Sequence, residues 1–207
     1  MAQTVYSANT VGSVPVVVGA NSFVAVCNPL TNTLTPNTLG NLVGTNLPVG
    51  GKILKWNNAA TRFDVYTRVA FGNGWSPGTG AAATINLGEG FFIYSPVQIT
   101  NKFIGDVLDA GYYGIQTNNL RSGFELVGSK QPLAGTVFSL GLFPPLSASP
   151  QNQLLKWNFV TQRYDIYYRC DCGGRFWLPS VPIINVGEGF FTHLAGPIPW
   201  VQNFTVQ

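Results

Sequence analysis

Residues 62–71 read Arg62-Phe63-Asp64-Val65-Tyr66-Thr67-Arg68-Val69-Ala70-Phe71. Apolar and polar side chains alternate along this stretch with the period of two that a β-strand imposes. The alternation predicts a strand with one buried side. Phe63, Val65, Thr67, Val69 and Phe71 are expected to face inward, and Arg62, Asp64, Tyr66 and Arg68 outward. Just upstream, Ile53-Leu54-Lys55-Trp56 runs into Asn57-Asn58, a turn signal that predicts a hairpin between the two segments.

The same text recurs further along. Arg163-Tyr164-Asp165-Ile166-Tyr167-Tyr168-Arg169 lies 101 residues after its first copy, and Leu154-Leu155-Lys156-Trp157 repeats the first hairpin strand at the same offset. Ile85-Asn86-Leu87-Gly88-Glu89-Gly90-Phe91-Phe92 returns 99 residues on as Ile184-Asn185-Val186-Gly187-Glu188-Gly189-Phe190-Phe191. Phe23 and Phe124 open the copies, and Phe103 and Phe204 are expected to close them. A period near 100 suits a complete small β-domain better than a solenoid unit. The expectation is therefore a tandem duplication of two β-sandwich or partly open barrel modules, 1–108 and 109–207, with six or seven strands each. The junction carries no Pro/Ser-rich spacer but does carry Tyr112, Tyr113 and Ile115, so the modules are expected to pack on each other.

Composition agrees with an all-β chain. Charged residues make up 9% of the 207 residues, against roughly 25% in an average domain, while β-branched and aromatic residues are frequent and 24 Gly and 14 Pro punctuate the chain. The net charge of +3 is spread thinly. With no Lys/Arg cluster to follow a phosphate backbone, no nucleic-acid partner is expected. No apolar run approaches the ~20 residues of a membrane-spanning helix. Ala2-Gln3 reads as the junction left where a signal peptide has been replaced by an initiator Met, which predicts a secreted or cell-surface protein.

Several short blocks resemble those of a diffuse group of secreted bacterial β-repeat proteins of unknown function. The matching residues are Ala8-Asn9-Thr10-Val11-Gly12, Phe23 to Leu30, Lys55-Trp56-Asn57, and Gly88 to Phe92 with its copy at Gly187 to Phe191. The resemblance implies export and a β-fold and carries over no catalytic residue.

Candidate chemistry is sparse. Glu89 and Glu188, each between two glycines, read first as structural acids that accept backbone N–H bonds or meet Lys55 or Arg68. As glycosidase acids, Glu89 and Asp64 would have to lie roughly 5–9.5 Å apart in one cleft. Trp56 shares strand parity with Leu54 and is assigned to the core. Trp75 and Trp177, each two residues before a proline, are assigned to loops and, with Trp200, form a candidate glycan-binding set. Cys170-Asp171-Cys172 lacks the second ligand pair that zinc needs, so no metal or other cofactor is expected; strand parity makes the cysteines small core residues and indicates no disulfide framework. Cys27 is the odd thiol. His193 is the only histidine, and a catalytic role for it depends on its meeting the outward-facing Asp171. Arg175 adds a charge that the first copy lacks. The leading functional expectation is a non-catalytic binding or scaffold module contacting a glycan, a surface polymer or a second copy of itself. A small secreted hydrolase of esters, lactones or glycosides is the alternative.

Overall fold

The computed structural model describes residues 11–32, 35–146, 152–172 and 175–205, without the side chains of Tyr112, Cys172 and Arg175. Of the opening block Ala8-Asn9-Thr10-Val11-Gly12, the first three residues lie outside the described ones. The chain is all-β. In order it forms β1 (Val11–Val18), β2 (Ser22–Cys27), the short helix α1 (Leu39–Leu42), β3 (Lys52–Asn57), β4 (Arg62–Arg68), β5 (Trp75–Ser76), β6 (Gly90–Ser95) and β7 (Ile99–Asp106). Then follow α2 (Ala110–Tyr113), β8 (Gln116–Leu120), β9 (Gly123–Gly128), β10 (Gly135–Thr136), β11 (Asn152–Asn158), β12 (Arg163–Cys172), β13 (Arg175–Leu178), β14 (Ile183–Ile184), β15 (Gly189–Leu194) and β16 (Ile198–Gln202). No described helix is long and apolar enough to cross a membrane.

Two five-stranded sheets dominate, ordered β2-β6-β3-β4-β5 and β9-β15-β11-β12-β13. Matched through the repeated blocks, the two orders are the same. An antiparallel pair covers each sheet, β1 with β7 and β8 with β16, and the small β10-β14 pair of the second half is matched in the first by a single bridge, Thr38 to Thr84. No ladder between these strands joins a residue before 108 to one after it; two isolated bridges do, Val26 to Glu188 and Glu89 to Val127.

Each large sheet packs on both faces, and its β6 or β15 strand accordingly carries no Asp, Glu, Lys or Arg. In the first sheet Ile53, Phe91 and Ile93 point to a core shared with Val14, Val16, Val18 and Phe103 of the covering pair. The opposite face, carrying Leu54, Trp56, Phe63 and Phe92, meets Leu126, Leu155, Trp157, Tyr164 and Phe191 of the second sheet in an aromatic seam. Edge-to-face contacts fill the seam, with Trp56 on Phe191 at 5.2 Å and Phe92 on Trp157 at 5.4 Å. The two indole N–H groups cross it in mirrored fashion: Trp56 donates to the Phe124 carbonyl at 3.1 Å and Trp157 to the Phe23 carbonyl at 2.9 Å. The halves therefore pack on each other through sheet faces, while Ile115 at the junction is exposed.

The Gly-Glu-Gly-Phe-Phe blocks build this interface. The Cys27 amide donates to the Gly187 carbonyl and the Gly128 amide to the Gly88 carbonyl, again as a mirrored pair. A Cβ at Gly189 would stand 2.5 Å from the Val26 carbonyl oxygen, so only glycine admits the other half's backbone there. Glu89 bonds Lys55 at 3.2 Å and accepts the Asn86 amide at 2.8 Å; Glu188 repeats both with Lys156 and Asn185, at 3.1 and 2.8 Å. The acids close the turns that deliver the glycines.

The structure corrects several of the sequence expectations. In β4 the seam takes Phe63, yet Val65 stands 44% exposed and Phe71, beyond the strand, 74% exposed. The row expected outside is partly the inner one, because Tyr66 packs on the first core and Tyr167 on the second, while Arg169 is buried against Phe138, Phe176 and Trp177. A two-sided burial defeats a parity argument that assumes one wet face. Phe204 does not close the second half as Phe103 closes the first; it packs into the first core, and Ala110 donates to its carbonyl. Among the described residues the second half contains nine strands where six or seven were expected. Finally, Cys170 is buried as predicted but is disulfide-bonded, whereas Cys27 is free.

Candidate ligand-binding clefts

Where β2 and β9 meet the glycine blocks of the opposite halves, the mirrored packing leaves two clefts of nearly equal size, about 570 and 590 Å3. They occupy corresponding places. Trp56, Asn86, Gly88 and Glu89 frame the first, and Trp157, Asn185, Gly187 and Glu188 frame the second. The strand ladders fix the remaining equivalences: Val18 pairs with Ile99 as Leu120 pairs with Ile198, and Phe23 with Tyr94 as Phe124 with His193.

On this common frame the linings diverge. The first cleft has Asn58, Asn118, Asn119, Arg121 and Glu125 where the second has Phe159, Val16, Val17, Gly19 and Val24. The first also gathers Lys55, Asp64 and Tyr66. Several of these groups are already held. Asp64 accepts the Asn57 amide at 3.0 Å, Glu125 accepts the Arg121 backbone N–H at 2.8 Å, and Asn118 donates to the Gly88 carbonyl at 3.3 Å. Others are not. Among the described residues the Arg121 guanidinium and the Asn119 amide make no hydrogen bond, and the Asn58 Oδ1 is buried without a donor, a state that costs free energy until something supplies one. Burial, with Asp64 and Glu89 nearby, pushes the Tyr66 phenol up, so it stays protonated as a donor.

The residues picked out from sequence lie elsewhere. Trp75 (5% exposed) and Trp177 (2%) sit in β5 and β13 and not in loops, and Trp200 (0%) donates to the Leu140 carbonyl inside the second core. None of the three offers a ring face to a ligand. Arg68 and Arg169 stack on the first two from the sheet. Arg175 opens β13, and its side chain lies outside the described residues. His193 stacks on Phe124 at 4.3 Å, and its Nδ1 is buried without a partner. Asp171 is exposed on β12. His193 pairs with Gln153, which pairs with Tyr168, so two ladders and three residues separate His193 from Asp171. At about 4.8 Å per ladder and 3.3 Å per residue, that is about 14 Å between Cα atoms. The structure does not bring them together.

Asn58, Asn119, Arg121 and Glu125 were missed from sequence. The signal was present in the aligned copies, as polar residues opposite Phe159, Val17, Gly19 and Val24, but it becomes meaningful only once the frame shows that these positions share a cleft.

Comparison with protein-family models, with curated proteins and with solved structures returns no match to this chain.

Proposed function

We propose that this is a secreted, non-catalytic binding protein of two duplicated units, 1–108 and 109–207, and that the polar cleft between them binds a polyhydroxylated ligand of glycan type. One observation carries the reading. Two clefts built on one frame differ at five lining positions, so the polar set of the first is not a requirement of the fold. That set suits sugar hydroxyls: the Glu125 carboxylate accepts, the Arg121 guanidinium donates, and the asparagines do both, beside the indole of Trp56. The volume lies in the range of small-molecule sites. The shared strand order and mirrored interface support duplication, and the disulfide at Cys170 supports an oxidising compartment. Glu89 is engaged by Lys55 as Glu188 is by Lys156, which supports a structural acid over a glycosidase acid.

The test is calorimetric titration against a panel of neutral, acidic and amino glycans, with product analysis of each mixture. Binding by the wild type that weakens about tenfold, or about 1.4 kcal/mol, in Arg121→Ala, with an unchanged melting temperature, is expected. Silence across the panel would refute the glycan reading. Accumulation of cleaved sugar would replace it with the hydrolase.

A further inference from the structure

The second cleft is not a degenerate copy of the first. We infer that it is a separate binding site for an uncharged aromatic compound. Val17 stands 60% exposed, Phe159 67% and Val186 39%, all at one groove. At the positions equivalent to Val17 and Phe159 the first cleft has asparagines, so the frame accepts polar groups there. Holding apolar surface in water where a polar residue is compatible with the fold is the pattern of a surface that is covered in use.

The charge pattern defines the occupant further. Among the described residues Glu188 is the only ionised group lining the groove, and Lys156 and Asn185 already satisfy it. A charged ligand would lose its hydration with no counter-ion in return, so the compound is neutral. Its aromatic character follows from Trp157. That indole is held in place by its N–H bond to the Phe23 carbonyl and by edge contacts to Phe92 and Tyr164, at 5.4 and 5.0 Å. The groove thereby extends the aromatic seam between the halves, ending on a ring fixed before any ligand arrives, with Phe159 at its rim and the flat valine wall of β1 and β2 alongside. Fixed rings reward a planar π-system beyond its buried area. At about 590 Å3 the groove takes one compound of a few fused rings.

The experiment uses the full chain and the neutral fluorophore 1-aminoanthracene, followed by its emission increase and by displacement with naphthalene or decanol. Val17→Asn and Phe159→Asn, which place the first cleft's residues at exposed positions, should each weaken fluorophore binding about tenfold. Arg121→Ala should leave it unchanged, and naphthalene should displace the probe better than decanol. No binding, or equal binding by both asparagine variants, would overturn the site. Loss in Arg121→Ala alone would move the probe to the polar cleft and overturn it equally, and displacement by decanol but not naphthalene would overturn the aromatic assignment. Because the glycan titrations read a different cleft, failure of either proposal leaves the other standing.

Discussion

Cys27 and Gly128 hold matching register positions in β2 and β9, and they also touch each other. A Cβ built on Gly128 would stand 2.2 Å from the Cys27 Cβ and 2.7 Å from its Sγ. Where these matching positions meet, the two halves leave room for one side chain only. Gly128→Ala should therefore cost about 3 kcal/mol, the upper end for overpacking, since neither β2 nor β9 can retreat without breaking the mirrored amide bonds beside it. Cys27→Gly should cost about 2 kcal/mol, from the lost burial of a small apolar group and the extra backbone freedom of glycine. If the two effects were independent, the double variant would lose about 5 kcal/mol. In the double variant, however, the methyl introduced by Gly128→Ala enters the space that the Cys27 side chain vacates, and the loss should be only about 2 kcal/mol. At about 2–4 °C per kcal/mol for a chain of this size, Gly128→Ala melts about 6–12 °C low and the double variant regains part of that. Calorimetric melting of the four proteins gives the coupling directly. A double variant as unstable as the sum of its parts would refute the shared packing space.

Further outcomes follow from the same interface. Gly189→Ala, whose Cβ meets Val26 backbone atoms at 2.5–2.9 Å, should destabilise more than Gly90→Ala, whose nearest neighbour is the Leu126 side chain at 2.9 Å, and Gly196→Ala, with nothing within 4 Å, should be neutral in the same melting assay. Trp56→Phe should cost about 1–2 kcal/mol by urea unfolding and more than Trp157→Phe, because the Phe23 carbonyl keeps the Gln162 amide at 3.2 Å while no side chain other than Trp56 donates to the Phe124 carbonyl among the described residues. Burial pushes the Cys27 thiol up to about 12 and the Tyr164 phenol to about 12. Folding thus favours their protonated forms; the resulting stability is complete below the ordinary thiol value of 9.0 and is lost as pH rises through about 12, which alkaline unfolding monitored by circular dichroism would show. For the same reason Ellman's reagent at about pH 8 should find Cys27 unreactive until the chain unfolds.

How much of this was legible beforehand depended on which physical rule each element obeyed. The hairpin of β3 and β4, the repeat of the glycine blocks and the Lys55–Glu89 contact are local or duplicated features, and the sequence displays them. Strand faces were harder to read. Ile53 and Leu54 are adjacent apolar residues because one serves the core and the other the seam, and a single-sided alternation cannot represent that. Trp75 and Trp177 looked like loop residues because in their segments a proline, Pro77 or Pro179, follows each two residues on. They are buried because the sheet extends two and four residues further into those segments, where Arg68 and Arg169 stack against them.

The matched architecture of the two halves also changes what counts as support for a site. In a single-copy protein a polar cleft and an apolar groove would each be explicable as an accident of packing. Here the same packing occurs twice, and what the fold requires appears in both copies: the Trp with its N–H across the seam, the Gly-Glu-Gly turn, and the Lys–Glu pair. In sequence the halves also differ between Cys170 and Trp177. There Arg169 lies over Trp177 as Arg68 lies over Trp75, and none of the described residues of that stretch lines either cleft. The differences at Asn58/Phe159, Asn119/Val17, Arg121/Gly19 and Glu125/Val24 are of another kind. They leave the shared frame intact and change only what a molecule entering from solvent would meet, so any difference in binding between the halves is better sought in the two clefts than in the loops.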